Sequence, residues 1–496
     1  MLRQRLPALS LRSAARRSET GVLLTRRKFL EPFEVRIERL GRNGVGVGTA
    51  PDGAPVNVRP APPGSVVRVV PQGKRKGVWS GRRVELVERP AGYRSPVCPV
   101  FGLCGGCALQ ELDLEHQRSF KQAFALEELA SVVAAGPVVH PIRGVDRAEG
   151  YRNRVEFSFG TRRYLSETDH QGGGAIEGRW LGFHAPGRFD RVVDTDTCAL
   201  VGPASNQVLT EVRAHALHPD APPPWDSRAH QGFWRHLLVR ESRLGELLVG
   251  VFTAPGGDVE VGAVDRLATA LMALRLDSAA VVGVVWVENG GVADVAQGAV
   301  RQIWGRDHLR EQLGDVSFRL SLSSFFQTST EGASILYDTI GEALGSASGG
   351  TLYDLYSGTG AIGQYLAQRF SRIVGIEENP AATSDAARNA EENGVAHAEY
   401  RAARVEDALE HLPREGTRCA LVVDPPRVGL HPRVVSALAQ ASADVLVYVA
   451  CHPASLGRDA VALQAGGWRP TDVWTVDLFP HTGHVEAVVR FVRSEA

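Results

Sequence analysis

From Leu322 onward, strand-length apolar runs alternate with helical stretches, and that alternation leaves few folds open. The runs are Thr351 to Tyr356, Ile373 to Glu377, Ala420 to Val423 and Val445 to Ala450. Strands separated by helices predict an α/β fold with a parallel, doubly wound, Rossmann-like sheet. In such sheets ligands bind beyond the carboxyl ends of the strands, at the crevice where strand order reverses. The residues that close each run are therefore the first candidates for chemistry.

The first run leads into Asp354-Leu-Tyr356-Ser-Gly358-Thr-Gly360-Ala-Ile-Gly363, a glycine-rich strand-to-helix turn. Glycine there lets backbone approach a bound cofactor, and a helix N-terminus favours negative charge. The second run ends in Glu377, placed to accept hydrogen bonds from a ribose. This layout also suits a nicotinamide oxidoreductase, so the turn alone does not choose the cofactor. The third run ends in Asp424-Pro-Pro-Arg427 and the fourth in Cys451-His452-Pro453. A lone strand-end cysteine is more often a small buried hydrophobe than a nucleophile, but its neighbours shift the odds. In the tail, His484, Glu486, Val488 and Arg490 fall on one face of a strand, and Val485, Ala487, Val489 and Phe491 on the other. One face is expected to be core. Glu486 is then either a solvated edge carboxylate or a base near the cofactor.

If the pocket is of the methyl-donor type, then together with a thiol and a carboxylate it suits methylation of uracil C5. That carbon is too weakly nucleophilic to take a methyl group directly. A thiolate adding at C6 makes it enolate-like, and a base then removes the C5 proton so that the thiol can leave. Cys451 and Glu486 fit those roles, and a base within folded RNA must swing out to reach them.

A second constellation lies upstream. Five residues separate Cys98 from Cys104, two separate Cys104 from Cys107, and ninety separate Cys107 from Cys198. Six cysteines in 496 residues are too few for a disulfide scaffold and suit a reducing compartment. Four thiolates suit zinc or an iron–sulfur cluster, and spacing does not choose between them.

The remainder sorts by composition. Residues 1–30 carry Arg3, Arg5, Arg12, Arg16, Arg17, Arg26, Arg27 and Lys28 against Glu19 alone. They read as a basic tail, an organelle targeting segment or a start placed too far upstream. Residues 31–90 read as a small β-barrel. Val35, Ile37, Val45, Val47, Val56, Val58, Val67, Val69, Val84 and Leu86 stand at two-residue spacings between Gly and Pro turns. Lys74, Arg75, Lys76, Arg82 and Arg83 are either a solvated loop or a nucleic-acid-binding edge. Residues 91–320 are mixed, with a helical stretch from Leu112 to Val133 and strand-like pieces near 155–159, 237–240, 247–252 and 281–287. With Lys+Arg at 55 and Asp+Glu at 56, the chain as a whole is not a uniformly basic RNA binder. No apolar run reaches the roughly 20 residues of a membrane span.

Taken together these residues resemble the S-adenosylmethionine-dependent RNA 5-methyluridine methyltransferases, the group of 23S rRNA and tRNA uracil-C5 enzymes. The likeness covers nearly everything after residue 30. It implies a TRAM domain at 31–90, a central domain with the cysteine cluster at 91–320 and the methyltransferase domain at 321–496. It implies that Cys98, Cys104, Cys107 and Cys198, with the CGGCxLQ run ending at Gln110, hold a 4Fe–4S cluster. Gln327 of Phe325-Phe-Gln327, Tyr356, Gly358, Gly360, Glu377 and Asp424 would contact S-adenosylmethionine; Cys451 would be the nucleophile and Glu486 the base. The family usually reads Ser-Cys-Asn-Pro where this chain has Ala450-Cys451-His452-Pro453. His481 stands where glutamine is usual and Ala361 where asparagine is frequent. The resemblance favours 23S rRNA over tRNA as substrate, a monomer, and bacterial cytoplasm, with an organelle if 1–30 is a transit signal. A non-catalytic RNA-binding or ribosome-assembly factor on the same scaffold is the alternative.

Overall fold

The computed structural model describes residues 31–412 and 418–493; the basic segment 1–30 lies outside them. Five strands, Phe33–Leu40, Gly46–Thr49, Pro55–Arg59, Val66–Arg75 and Val78–Glu88, close into a barrel. Val35, Ile37, Val56, Val58, Val67 and Val69 fill its interior. The second strand departs from the expected pattern, because Gly46 and Gly48 face inward instead of Val45 and Val47. A Cβ on either glycine would come within 2.2 Å of a carbonyl oxygen, of Ala61 and Arg36 respectively. The neighbouring backbones are too close for valine on that side. Val84 is likewise exposed.

A seven-stranded sheet follows, in the order 188–194, 177–185, 154–162, 234–241, 246–253, 280–288 and 299–305. Helices Pro203–Ala216 and Asp258–Ala273 cover one face. Its other face shares a core with a hairpin, His308–Leu313 and Val316–Ser321, and with the C-terminal region. The helical stretch upstream is broken at Leu129, giving Leu114–Glu128 and Ala130–Val133.

The C-terminal sheet is built from β1 (Thr351–Leu355), β2 (Arg372–Glu377), β3 (Ala398–Ala402), β4 (Cys419–Val423), β5 (Val445–Ala450), β6 (Trp468–Asp477) and β7 (Glu486–Arg493). Their spatial order is β3-β2-β1-β4-β5-β7-β6. β1 to β5 are parallel and β7 runs antiparallel between β5 and β6. Strand order reverses between β1 and β4, so the crevice expected from the alternation opens there. Residues 138–139 and 143–144 also pair with β6, joining a segment far upstream to this sheet.

The expectation that β7 has one core face needs correction. Glu486, Ala487, Val488 and Val489 are all buried. β7 is an interior strand whose two faces contribute to different apolar clusters, Val488 to one and Ala487 and Val489 to the other. Polar Glu486 is therefore held inside the molecule, not at a solvated edge.

Candidate active site

The turn after β1 is shaped by backbone. Tyr356 has a φ of 64°, Gly358 54° and Gly360 75°, so three of five successive residues are left-handed. Tyr356 and Ser357 donate their N–H groups to the Ile376 carbonyl, folding the turn over the end of β2. Gly360 caps the short helix Ala361–Tyr365, and a Cβ there would lie 2.6 Å from the Tyr400 hydroxyl. Glu377 accepts N–H bonds from Gly358 (3.0 Å) and Asn379 (2.8 Å). Each carboxylate oxygen keeps a lone pair for a further donor. Asp354, fully buried beneath the turn, accepts from Gly363 N–H at 3.0 Å, yet burial pushes its carboxyl up to about 7.

One cleft of about 1420 Å³ gathers the strand ends. Gln327, Tyr356, Gly358, Glu377, Asp424, Cys451 and Glu486 all line it; Gly360 does not and acts on the turn from behind. Sequence reasoning missed other parts of the wall: Arg152, and Gly105 and Gly106 from the cysteine turn. No local pattern marks these residues, because only the packing of distant segments brings them here. Phe325, 66% exposed, stands at the same wall.

The electrostatics of the cleft follow from burial. The Glu486 carboxyl is 3% exposed and is pushed up to about 8, first by burial and then by the charge of Asp424. Burial lifts Asp424 to about 6. The Cys451 thiol rises to about 12, again first through burial, with Glu486 and Asp424 adding to it. Arg427, also on the wall, opposes the rise of both Cys451 and Glu486. Burial thus raises all three acids, Asp424 further disfavours ionisation of Glu486, and both carboxylates disfavour that of Cys451. A cationic ligand would reverse that balance.

The loop before β7 is tied down from outside the sheet. Lys121, on Leu114–Glu128, makes a fully buried ion pair with Asp477 at 2.6 Å and donates to the Phe479 carbonyl. Tyr151 donates its hydroxyl to Pro480 O, and the N–H groups of Ala108 and Leu109 donate to His481 O. His481 is itself wholly buried, with Nδ1 3.1 Å from the Gln117 amide, and burial lowers it to about 4. Its departure from the family pattern thus sits in this tether and not on the cleft wall. His452 caps the helix Pro453–Ala465 that follows the thiol. Its buried Nδ1 has no hydrogen-bond partner.

Cys98, Cys104 and Cys107 lie on the loop before Leu114–Glu128, and Cys198 lies on the loop before Pro203–Ala216. Burial is the main cause of a raised pKa in all four, and neighbouring thiols raise Cys104, Cys107 and Cys198 further. Backbone N–H groups point at the sulfurs of Cys98, Cys104 and Cys198; Gln110 Oε1 accepts from Cys98 N–H at 3.1 Å, and its buried Nε2 has no hydrogen-bond partner. Among the described residues, however, no group of three or more His, Cys, Asp or Glu side chains is arranged to hold a metal ion. No described helix is long and apolar enough to cross a membrane.

Comparison with known proteins shows the family. The profile of the tRNA (uracil-5-)-methyltransferase family matches residues 298–494. An RNA methyltransferase of Chlorobaculum tepidum is 37% identical over 425 residues, 84% of this chain and 86% of the relative. The chain belongs to the S-adenosylmethionine-dependent RNA uracil-C5 methyltransferases. A second such relative, from Caldanaerobacter subterraneus, is 35% identical over 92% of this chain and 98% of its own length. Among solved structures, the Pyrococcus abyssi tRNA (uracil-54, C5)-methyltransferase in complex with S-adenosyl-L-homocysteine superposes with a TM-score of 0.70 at 26% identity. That likeness covers 93% of this chain and all of the other. Membership of this methyltransferase family sets aside the nicotinamide reading of the glycine turn, and the chain is an enzyme.

Proposed function

We propose that this enzyme methylates C5 of an RNA uridine through a transient bond between Cys451 and C6 of the ring. The observation that carries the reading is the single cleft shared by Cys451, Glu486 and the strand-end residues of the glycine turn. Gln327, Tyr356, Gly358, Glu377 and Asp424 would hold S-adenosylmethionine, with Gly360 shaping the turn. Bound there, it supplies an electrophilic methyl group and a positive charge. Cys451 adds to C6 as the thiolate, C5 takes the methyl group, and Glu486 removes the C5 proton so that the sulfur departs.

The free cleft disfavours both working anions, since the thiol sits near 12 and the Glu486 carboxyl near 8. A sulfonium charge nearby stabilises thiolate and carboxylate alike, so activation of the nucleophile is coupled to loading of the methyl donor. Uridine held in a stem would have to leave its stack to meet the thiol.

The quartet Cys98, Cys104, Cys107 and Cys198 would hold a 4Fe–4S cluster, for which N–H donors at sulfur are suitable partners. Its role is structural: the turn it would pin puts Gly105 and Gly106 on the cleft wall, and methyl transfer moves no net electrons. The TRAM-like barrel 31–90 and the central part 91–320 would bind the RNA around the methyltransferase part 321–496, in a monomeric bacterial cytoplasmic enzyme. The quartet favours 23S rRNA as substrate, and the likeness to the Pyrococcus abyssi enzyme favours tRNA.

Labelled methyl donor with unmodified 23S rRNA fragments and tRNA transcripts tests the reading. The wild type should label one of them. Cys451→Ala should bind RNA and donor without transfer, and Glu486→Gln should stall as a covalent adduct on a denaturing gel. Full turnover by Cys451→Ala would overturn the mechanism.

A further inference from the structure

The thiol and Arg427 stand on different strand ends, and one carboxylate joins the segments that carry them. Asp459 lies on the helix Pro453–Ala465 and is 5% exposed. Its Oδ2 accepts from the hydroxyl of Tyr448 at 2.8 Å and from Leu430 N–H at 2.9 Å. Tyr448 is fully buried in β5, three residues before Cys451, and Leu430 is three residues beyond Arg427. Its Oδ1 accepts from Arg458 Nε at 2.8 Å, and Arg458 Nη2 donates to the Val428 carbonyl at 2.9 Å. The loop after β4 is thereby held on both sides of Gly429.

Gly429 shows how closely the loop is seated. Its φ is +83°, and a Cβ would lie 2.4 Å from Arg458 Nη2 and 2.8 Å from Asp459 Oδ2. Its N–H closes a turn onto the Pro426 carbonyl at 2.8 Å. The loop therefore has little freedom as long as the Asp459–Arg458 pair is intact. Arg427, at its head, is exposed into the cleft that Cys451 and Glu486 line.

We propose that Asp459, acting with Arg458, is a positioning residue of methyl transfer: by tying the Arg427 loop to the strand and helix that flank the thiol, it keeps the Arg427 cation in the cleft that Cys451 lines. This rests on the assigned role of Cys451 but concerns the thiol's readiness, which can be read without RNA. A cation held close favours the thiolate, and one left to wander in solvent does so weakly. Loosening the tie should slow thiolate chemistry while leaving the cofactor contacts at β1 and β2 intact.

The test is alkylation of Cys451 in the full-length protein by iodoacetamide across pH, followed by peptide mass spectrometry so that the other cysteines are counted separately. Asp459→Asn should slow alkylation about three- to ten-fold at a fixed mildly alkaline pH, as half to one unit of pKa implies. S-adenosylhomocysteine affinity should change less than about two-fold. Arg427→Ala should show the same slowing, and Arg427→Ala with Asp459→Asn should be no slower than either alone, because the two act through one charge. If Asp459→Asn does not fold, Arg458→Met, at a side chain 58% exposed, removes the tie to Val428 and should slow alkylation in the same direction. A folded Asp459→Asn or Arg458→Met with the wild-type profile, or additive slowing in the double variant, overturns the inference. Wild-type protein that fails to methylate RNA while these shifts appear would instead count against the function proposed above.

Discussion

Replacing Glu486 with Gln should make the free protein more stable, and increasingly so as pH rises. The carboxyl is raised from 4.5 to about 8 by burial and by Asp424. Between those values the folded protein holds a proton that the unfolded chain has released. Folding then becomes less favourable as pH increases through this window, and the contribution is fully favourable only below the unfolded value. At about 1.4 kcal/mol per pH unit, and allowing for partial titration at both ends, the loss between pH 5 and pH 8 comes to about 3–4 kcal/mol. Glutamine has nearly the same shape and does not titrate, so it escapes this loss. Thermal unfolding of both proteins, without cofactor, at pH values from 5 to 8 is the assay. The advantage of Glu486→Gln should widen by several degrees across the series, given roughly 2–4 °C per kcal/mol for sizeable domains. A constant difference, or one that narrows with pH, would refute the claim that Glu486 is forced to keep its proton in the empty cleft.

The same electrostatics make the cofactor's charge decisive: S-adenosylmethionine should speed alkylation of Cys451 relative to neutral S-adenosylhomocysteine, and equal rates would remove the coupling. Gly360→Ala meets both a left-handed φ and the Tyr400 hydroxyl, so it should cost about 1–3 kcal/mol and weaken S-adenosylhomocysteine binding, read by thermal unfolding and calorimetry. Protein purified without oxygen should carry iron and absorb near 400 nm, roughly where thiolate-ligated clusters do, and Cys104→Ser should lose both. Zinc in place of iron would redirect the quartet to a mononuclear site.

Much of the C-terminal sheet was legible because its signals are local. The apolar runs that end at Glu377, Asp424 and Cys451 are short, the turns between them are rich in glycine and proline, and parallel strands end where their ligands bind. The barrel was legible for the same reason, except where Gly46 and Gly48 turn inward. That inversion depends on how near the Ala61 and Arg36 carbonyls come, and no alternation of residue types reports it.

The environment of Glu486 was not legible. Two-residue alternation says which side chains share a face, but not whether a strand lies at an edge or between two others. β7 enters the sheet between β5 and β6, and this insertion buries both its faces. By itself the sequence determined the α/β alternation, the glycine-rich strand-to-helix turn and which reactive groups close each strand, since these follow from residue preferences over a few positions. Tertiary structure decided that Glu486 is buried in the cleft that Cys451, Asp424 and Arg427 line, and how strongly each is perturbed there, because ionisation depends on distances and on burial by segments far apart in the sequence.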